Sequence, residues 1–295
     1  MPECLDNMPW RSLKGLGDMA PDFLRLGDFK NVRLKDDTLV QFRIIGFKHD
    51  VTKSGRILPL TWEMVDCLPN RHRWNSNDTN RGSWGATELF HKMNDEDGVI
   101  YQLMPDEILE VVEPVIKLTA NTYDGANELL ETECKFWIKS EKETFGRNIY
   151  SAPGEGHWYE YYRQEDVPWG KKRNGSAEYT MLRSPYYTYS SYFCAVDTNG
   201  NANNNNARNS NGVAPDFVNQ KWSGSIVVAQ RVNYDPYERR NTSRDENPKL
   251  PFDILTRTPP ESPCVHGERC ILPRFMCHEL SRLDDALQDI CTEGE

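Results

Sequence analysis

Short apolar segments separated by turn residues recur along the first 230 positions of the chain. Within them, hydrophobic residues alternate with polar ones or follow one another directly, which is the pattern of β-strands. The segments are Val32–Leu34, Leu39–Ile45, Leu58–Val65, Phe136–Ile138, Tyr179–Leu182 and Phe193–Val196, with a last pair at Val218–Trp222 and Ile226–Ala229. Strands this short predict small mixed or antiparallel sheets.

Two or three short helices are predicted among these strands. Apolar residues three and four positions apart predict amphipathic helices with one buried stripe. The stripes are Ala86, Leu89, Phe90 and Met93 in one helix, and Ile108, Val111 and Val112 in another that starts at Pro105. Ser140–Gly146 predicts a helical turn that glycine caps, and Leu280–Ile290 predicts a final helix. The fold class is therefore predicted to be α+β, with long loops.

Changes in composition divide the chain into three parts. Residues 1–22 are polar and contain several Pro and Gly residues, so they are predicted to form an N-terminal arm that Trp10 anchors. Residues 23–233 carry nearly all the predicted elements and form the main domain. Residues 234–295 are charged and interrupted by prolines, which predicts a linker followed by a C-terminal docking appendage.

The charge and the apolar pattern exclude several classes of function. A net charge of −10 argues against non-specific nucleic-acid binding, which needs a basic face. No run of about 18 apolar residues is present, so no membrane span is predicted. The N-terminus, Met1–Asp6, lacks the basic start and apolar core of a secretory signal. A role outside the cell would therefore need another route, such as release within a virus particle.

Cysteine spacing does not predict a metal centre or a cofactor. The chain has eight cysteines. The first four are scattered and show no ligand spacing, so they are predicted to be reduced thiols buried in the core. Three of the last four lie near two histidines, in the set Cys264, His266, Cys270, Cys277 and His278. Zinc at that set stays an open alternative, although the spacing matches no standard finger or ribbon.

The stretch Leu182–Phe217 has the composition of a binding loop. It passes from Arg183-Ser-Pro185 through a tyrosine- and serine-rich run into an almost pure asparagine segment. Tyrosine supplies a large stiff surface, and Ser, Asn and Gly supply adaptable hydrogen bonds. An ordinary polar hairpin loop is the alternative, because strand alternation lets only about half of the tyrosines face outward. Arg183 is expected to hold the fold by satisfying loop carbonyls or a carboxylate.

The candidate ligand contacts are drawn from this stretch. Aromatic rings stack on apolar surfaces, and amide and hydroxyl groups donate hydrogen bonds. The predicted contact residues are Tyr186, Tyr187, Tyr189, Ser190, Tyr192, Asn203, Asn205, Arg208 and Asn209. Asp197 and Asp216 are the only acids nearby, so no calcium site is predicted.

Several motifs together resemble one family. In chain order they are Gly27-Asp28, Ile44–Asp50, Thr79–Trp84, Val115–Thr119, Cys134–Gly146, Gly154-Glu-Gly156, Leu182-Arg-Ser-Pro185 and Gly212-Val-Ala-Pro215. They resemble an uncharacterised domain family of Firmicutes and their phages, over roughly residues 10–220. This chain departs from many relatives in having Met181 before Leu-Arg-Ser-Pro and Ala214 where arginine is common.

The resemblance implies a fold and a function. The end module is similar to C-type-lectin-like domains, to formylglycine-generating-enzyme-like domains and to the variable proteins of diversity-generating retroelements. In those variable proteins Asn, Tyr and Ser residues are scattered over a ligand-binding face. The asparagine segment here lies about eighty residues before the last residue of the sequence, whereas variable regions of that kind sit near the end.

The resulting hypothesis is a phage tail or virion-surface protein that binds a receptor and is not an enzyme. The expected partners are a host cell-surface protein or glycan, other virion proteins through the C-terminal segment, and further copies of the chain. One alternative is a structural decoration or adaptor protein of the virion. Another is a formylglycine-generating-like enzyme, which would need a reactive cysteine pair, whereas Cys194 stands alone in an apolar strand.

Overall fold

Antiparallel pairing joins the strands into several small sheets. The computed structural model describes residues 1–123 and 128–220. The strands are β1 Phe29–Arg33, β2 Leu39–Phe47, β3 Leu60–Met64, β4 Val115–Asn121, β5 Glu128–Cys134, β6 Lys171–Arg173, β7 Ser176–Glu178, β8 Thr180–Pro185, β9 Tyr192–Val196, β10 Ala202–Asn206 and β11 Asp216–Val218. A four-stranded sheet has the order β1-β2-β3-β11 and a three-stranded sheet the order β10-β9-β8; β4-β5 and β6-β7 are two-stranded.

The helices are short, and the first two precede β1 in the sequence. They are α1 Trp10–Leu16, α2 Ala20–Phe23, α3 Glu88–Asn94, α4 Asp106–Leu109 and α5 Glu141–Phe145, with 3₁₀ turns at Gly17–Met19, Trp84–Ala86, Tyr101–Leu103 and Glu160–Arg163. The described chain is therefore α+β, as predicted. No helix in its described part is long and apolar enough to cross a membrane.

Most predicted elements are present, and the differences have local causes. The predicted strand Phe136–Ile138 is wrong, because only one isolated bridge, from Trp137 to Asp216, pairs it. The first member of the last predicted strand pair, Val218–Trp222, is present at its first residue, because Val218 ends β11, which pairs with β3. The other partner at 226–229, the appendage at 234–295 and the cysteine–histidine set all lie outside the described residues.

The predicted N-terminal arm is instead part of the folded core. Helix α1 buries Trp10, Leu13 and Leu16 at three-residue spacing. The Trp10 ring meets Trp62 of β3 at 5.0 Å between centroids, and Phe217 of β11 at 5.5 Å. Edge-to-face contacts of this kind add to the gain from burial. The first helix therefore covers one face of the four-stranded sheet.

Charged side chains also meet inside the fold, at Glu63 of β3. Its buried carboxylate accepts Lys139 Nζ at 2.6 Å and Lys171 Nζ at 3.1 Å. Arg43 pairs with it as well, and the Tyr162 hydroxyl donates to it at 2.7 Å. Burial alone would raise the pKa of Glu63, but the three cations hold it well below its ordinary value. The buried carboxylate is therefore ionised and neutralised by its partners.

A second buried cluster centres on Glu143 in α5. Arg183 of β8 donates to both of its carboxylate oxygens, and Lys117 of β4 lies 3.1 Å away. Lys117 also pairs with Asp50 and donates to the Tyr159 hydroxyl at 2.8 Å. Although burial raises the pKa of Glu143, Arg183 and Lys117 hold it well below its ordinary value. This cluster ties β4, α5 and β8 together.

Glu155 behaves differently from the other buried acids. Its Oε1 accepts the backbone N–H of Ala120 at 2.8 Å, and within the described chain its Oε2 has no hydrogen-bond partner. Burial raises the pKa of Glu155 to about 7, against the opposing effect of hydrogen bonds from Ser184 and Ala120. The folded chain therefore keeps this carboxyl protonated in mildly acidic solution.

We expect Trp10→Ala to lower the free energy of unfolding by about 3–5 kcal/mol, the cost of emptying a large aromatic site. Urea unfolding followed by far-ultraviolet circular dichroism measures the change. Met19→Ala is the control, because Met19 is 41 % exposed and should cost less than about 1 kcal/mol. Equal midpoints for the Trp10 variant and the wild type would show that α1 does not support the fold.

We expect Glu155→Gln to remove a loss of stability that occurs as the pH rises. In the unfolded chain this carboxyl ionises near 4.5, whereas the folded chain holds the proton to about 7. The folded state binds more protons in this window, so stability falls with rising pH. The variant should therefore gain up to ~3 kcal/mol relative to wild type between about pH 5 and about pH 8, measured by urea unfolding.

Glu143→Gln is the matched control with the opposite sign. The folded pKa of Glu143 is depressed, so its contribution is present above its ordinary pKa of 4.5 and is lost as the pH falls below that value. Its deficit should be large at neutral pH and should shrink in acid. A Glu155 variant whose stability relative to wild type does not change with pH would contradict the assignment of a protonated carboxyl.

Candidate ligand-binding face

Arg183 fixes the start of the tyrosine-rich loop at the end of β8. Its guanidinium is fully buried and donates hydrogen bonds to the Glu143 carboxylate. It also donates to the backbone carbonyls of Ile138 and Glu155, each at 3.2 Å. Next to it, the Ser184 hydroxyl accepts the backbone N–H of Glu141 at 2.9 Å. The prediction that Arg183 satisfies a carboxylate and loop carbonyls is confirmed. The loop that follows is therefore anchored at its first residue.

Helix α5 is built to present Glu143 to this arginine. Ser140 caps the helix by accepting the Glu143 N–H, and the Glu143 side chain reaches back to the Ser140 N–H, which is a complete capping box. Gly146 ends the helix in the left-handed conformation, at φ 71°. One carboxylate thus caps the helix and neutralises the arginine.

Five tyrosine rings lie in contact at the surface beyond this anchor. They form what we call the tyrosine face, made of Tyr150, Tyr186, Tyr187, Tyr189 and Tyr192. Centroid distances are 5.3 Å for Tyr150–Tyr186, 6.3 Å for Tyr186–Tyr187, 5.0 Å for Tyr186–Tyr189 and 5.6 Å for Tyr189–Tyr192. Tyr187 is 48 % exposed and Tyr189 57 %. The predicted contact Ser190 is exposed on the same loop.

The asparagine segment forms an edge strand, β10, beside β9. Asn206 pairs with Tyr192 and Asn204 with Cys194, whereas Asn205 pairs with Phe193. Paired residues in an antiparallel ladder share a face, and successive residues alternate between faces. Asn204 and Asn206 therefore share the face of Tyr192, and Asn205 lies on the opposite one.

The side chains of Asn203 and Asn205, which the sequence predicts as ligand contacts, form hydrogen bonds within their own strand. The side-chain oxygen of Asn203 accepts the N–H of Asn204 at 2.8 Å, and that of Asn205 accepts the N–H of Asn206 at 2.9 Å. Both N–H groups belong to the edge strand of the sheet, where free donors invite pairing with other chains. The two side chains thus cover that edge.

Asn209 and Arg208 lie on the turn after β10. Asn209 Nδ2 donates to Asn205 Oδ1 at 2.6 Å, and Asn205 Nδ2 donates to Asn211 at 3.1 Å. Arg208 forms an exposed ion pair with Asp78 at 3.1 Å. The structure therefore brings the four tyrosines and Ser190 together, and places the other four predicted contacts on β10 and the turn after it, where Asn205 and Asn209 share a hydrogen bond.

Sequence reasoning missed Tyr150 of the tyrosine face, and also Asn204 and Asn206, which lie on the same side of the sheet as Tyr192. Tyr150 comes from the loop after α5, and only the tertiary fold brings it to Tyr186. Asn204 and Asn206 were passed over, although period-two alternation separates them from Asn203 and Asn205 once the run is assigned as a strand. Aromatic rings and amides close together suit a ligand that offers apolar patches and hydrogen-bonding groups.

The thiols of Cys134 and Cys194 are buried, and the carboxylate of Asp197 accepts hydrogen bonds within its own turn. Burial raises the pKa of Cys194 well above its ordinary value, and that of Cys134 to about 12, so both thiols stay protonated. Asp197 accepts the N–H groups of Asn199 and Asn201, each at 2.9 Å. In the described ranges, no group of three or more His, Cys, Asp or Glu side chains is placed to hold a metal ion.

Comparison with known proteins gives a family without a named activity. The family model described as "Domain of unknown function (DUF6273)" matches residues 37–219, which include every strand from β2 to β11 and both ends of the tyrosine loop. No curated protein and no solved structure matches the chain. Since the match spans more than half of the sequence, the chain belongs to the DUF6273 family.

Proposed function

We propose that the chain is a ligand-binding protein whose tyrosine face, with Ser190, Asn204 and Asn206, recognises a receptor on a host cell. We further propose a C-type-lectin-like fold and a place on the tail or surface of a phage particle. These two parts rest on the motif resemblance. The arrangement of small antiparallel sheets with short helices is compatible with that fold.

The observation that carries the proposal is the exposed ring cluster. Large aromatic side chains usually bury most of their surface, yet Tyr187 and Tyr189 leave about half of theirs in solvent. The neighbouring rings of Tyr186 and Tyr192 both contact the ring of Tyr189. Contiguous exposed aromatic surface of this kind marks interaction sites, and tyrosine is enriched among residues that dominate binding energy.

The receptor would be a cell-surface protein or glycan that offers apolar patches to the rings. The hydroxyls of the tyrosines and the amides of Asn204 and Asn206 would supply directional hydrogen bonds. The formylglycine-generating-like enzyme would need a reactive cysteine pair, and the buried, protonated thiol of Cys194 does not support that role. A structural adaptor of the virion remains the competing role, and the experiment below separates the two.

We expect Tyr187→Ala combined with Tyr189→Ala to weaken binding to intact Gram-positive host cells by at least roughly tenfold, as loss of aromatic hot-spot side chains does. Fluorescently labelled protein titrated onto cells gives the affinity. Because both rings are largely exposed, the variant should keep the unfolding midpoint of the wild type to within a few degrees.

The matched control is Leu39→Ala combined with Val99→Ala. These side chains are 63 % and 58 % exposed and lie outside the tyrosine face. Their loss should leave binding unchanged, which excludes general stickiness. Equal binding by both double variants, or no binding by the wild type to any host, would overturn the receptor-binding role and favour the adaptor.

A further inference from the structure

We propose that Asn80 is a positioning residue of the tyrosine face: it holds the main chain of the loop 186–192 in the shape that exposes Tyr187 and Tyr189. The inference rests on the proposed binding function for its effect on ligand affinity. Its effect on the loop itself can be measured without any ligand. Asn80 is fully buried and precedes the 3₁₀ turn Trp84–Ala86.

Three hydrogen bonds join this one residue to the loop. Asn80 Nδ2 donates to the carbonyl oxygen of Tyr189 at 2.8 Å and to that of Tyr192 at 3.0 Å. The backbone N–H of Asn80 donates to the carbonyl of Ser190 at 2.8 Å. A side-chain amide supplies two donors in one plane, and here both are used on the same loop.

Further main-chain contacts hold the first half of the loop. The Thr122 hydroxyl donates to the Tyr186 carbonyl at 3.1 Å, and the Tyr187 N–H donates to the Tyr150 carbonyl at 2.9 Å. The Tyr186 N–H donates to the Tyr192 carbonyl at 3.0 Å, which closes the loop on itself. All these contacts use backbone atoms of the loop.

A loop held by its backbone can carry its side chains outward. The ring contacts within the tyrosine face involve side chains that are half-buried or exposed, so they alone would allow the loop several shapes. Fixing the backbone before the ligand arrives lowers the ordering cost of binding. Asn80 therefore contributes to affinity although it is buried and lies beneath the loop.

Asn80→Asp is the direct test, because it keeps the shape of the side chain and removes both amide donors. Asn94→Asp is the matched control. Asn94 Nδ2 likewise donates to two carbonyls, those of Phe90 at 3.1 Å and Phe136 at 2.9 Å, and it joins α3 to the segment after β5. Each change removes the same two kinds of bond from a different part of the fold.

Hydrogen exchange and cell binding are measured for both variants. With Asn80→Asp we expect the amides of Tyr186 and Tyr187 to exchange roughly tenfold faster or more, since the loop opens locally. Binding to host cells should weaken by a similar factor. Asn94→Asp should keep the exchange rates of the loop and the cell binding of the wild type, whatever it does to the unfolding midpoint.

A second pair covers the case in which Asn80→Asp does not fold. Thr122→Val removes the bond to the Tyr186 carbonyl, and Thr119→Val is its control, because among the described residues the Thr119 hydroxyl has no partner. Faster loop exchange in the first variant alone would support a loop held from beneath. The Thr122 hydroxyl also lies 3.5 Å from Asn80 Nδ2, so equal loop exchange in Thr122→Val and Thr119→Val would overturn the inference.

The outcomes also separate this inference from the proposed function. If the wild type binds no host cell, the receptor role fails, and the exchange rates alone decide whether Asn80 holds the loop. If the wild type binds and Asn80→Asp binds equally well, the receptor role stands and the positioning role is overturned. The same holds if Asn94→Asp loses binding to the same extent.

Discussion

The buried pair between Arg183 and Glu143 is the contact on which the rest of the structure depends. Glu143 caps α5, receives Lys117 from β4 and neutralises the arginine of β8, so three elements distant in sequence meet at one carboxylate. Removing one member of such a pair leaves a buried charge without a partner, which costs far more than a surface ion pair contributes. The position of β8, and with it the start of the tyrosine loop, follows from this pair.

Charged side chains lie in the interior of this protein, whereas the proposed binding face is built from uncharged ones. Ion pairs around Glu63 and Glu143 lie within a largely apolar interior, and each charge there has fixed partners. The proposed face carries only phenols, a hydroxyl and amides. Buried ion pairs are geometrically demanding, so they define one arrangement of strands. Uncharged groups at a surface can form hydrogen bonds with different ligands, because they need no fixed partner of opposite charge. An interior with fixed ion pairs thus supports the proposed binding face.

The sequence predicted those parts in which local pattern and tertiary structure agree. Alternation indicated β2 and β3, and Ser140 with Gly146 indicated both ends of α5. Helix α1 was missed because proline and glycine near it suggested an arm, although Trp10, Leu13 and Leu16 share one face. Strand β10 was missed because asparagine is depleted in strands, and here side-chain bonds to the backbone compensate. The contacts of Asn80 join residues over a hundred positions apart, which no local pattern reveals.

The alternation of β10 also limits how the asparagine segment can be interpreted. A run of identical residues suggests equivalent roles, yet the strand gives neighbouring asparagines different surroundings. A change at Asn203 or Asn205 removes a hydrogen bond that covers the edge of the sheet, whereas Asn204 contributes its side chain to the face of Tyr192. Variation that preserved the fold would therefore be tolerated best at Asn204, since Asn206 Oδ1 also accepts the Arg208 N–H at 3.1 Å. Composition marks the segment as unusual, and only the pairing with β9 shows which of its residues lie on the same side of the sheet as Tyr192.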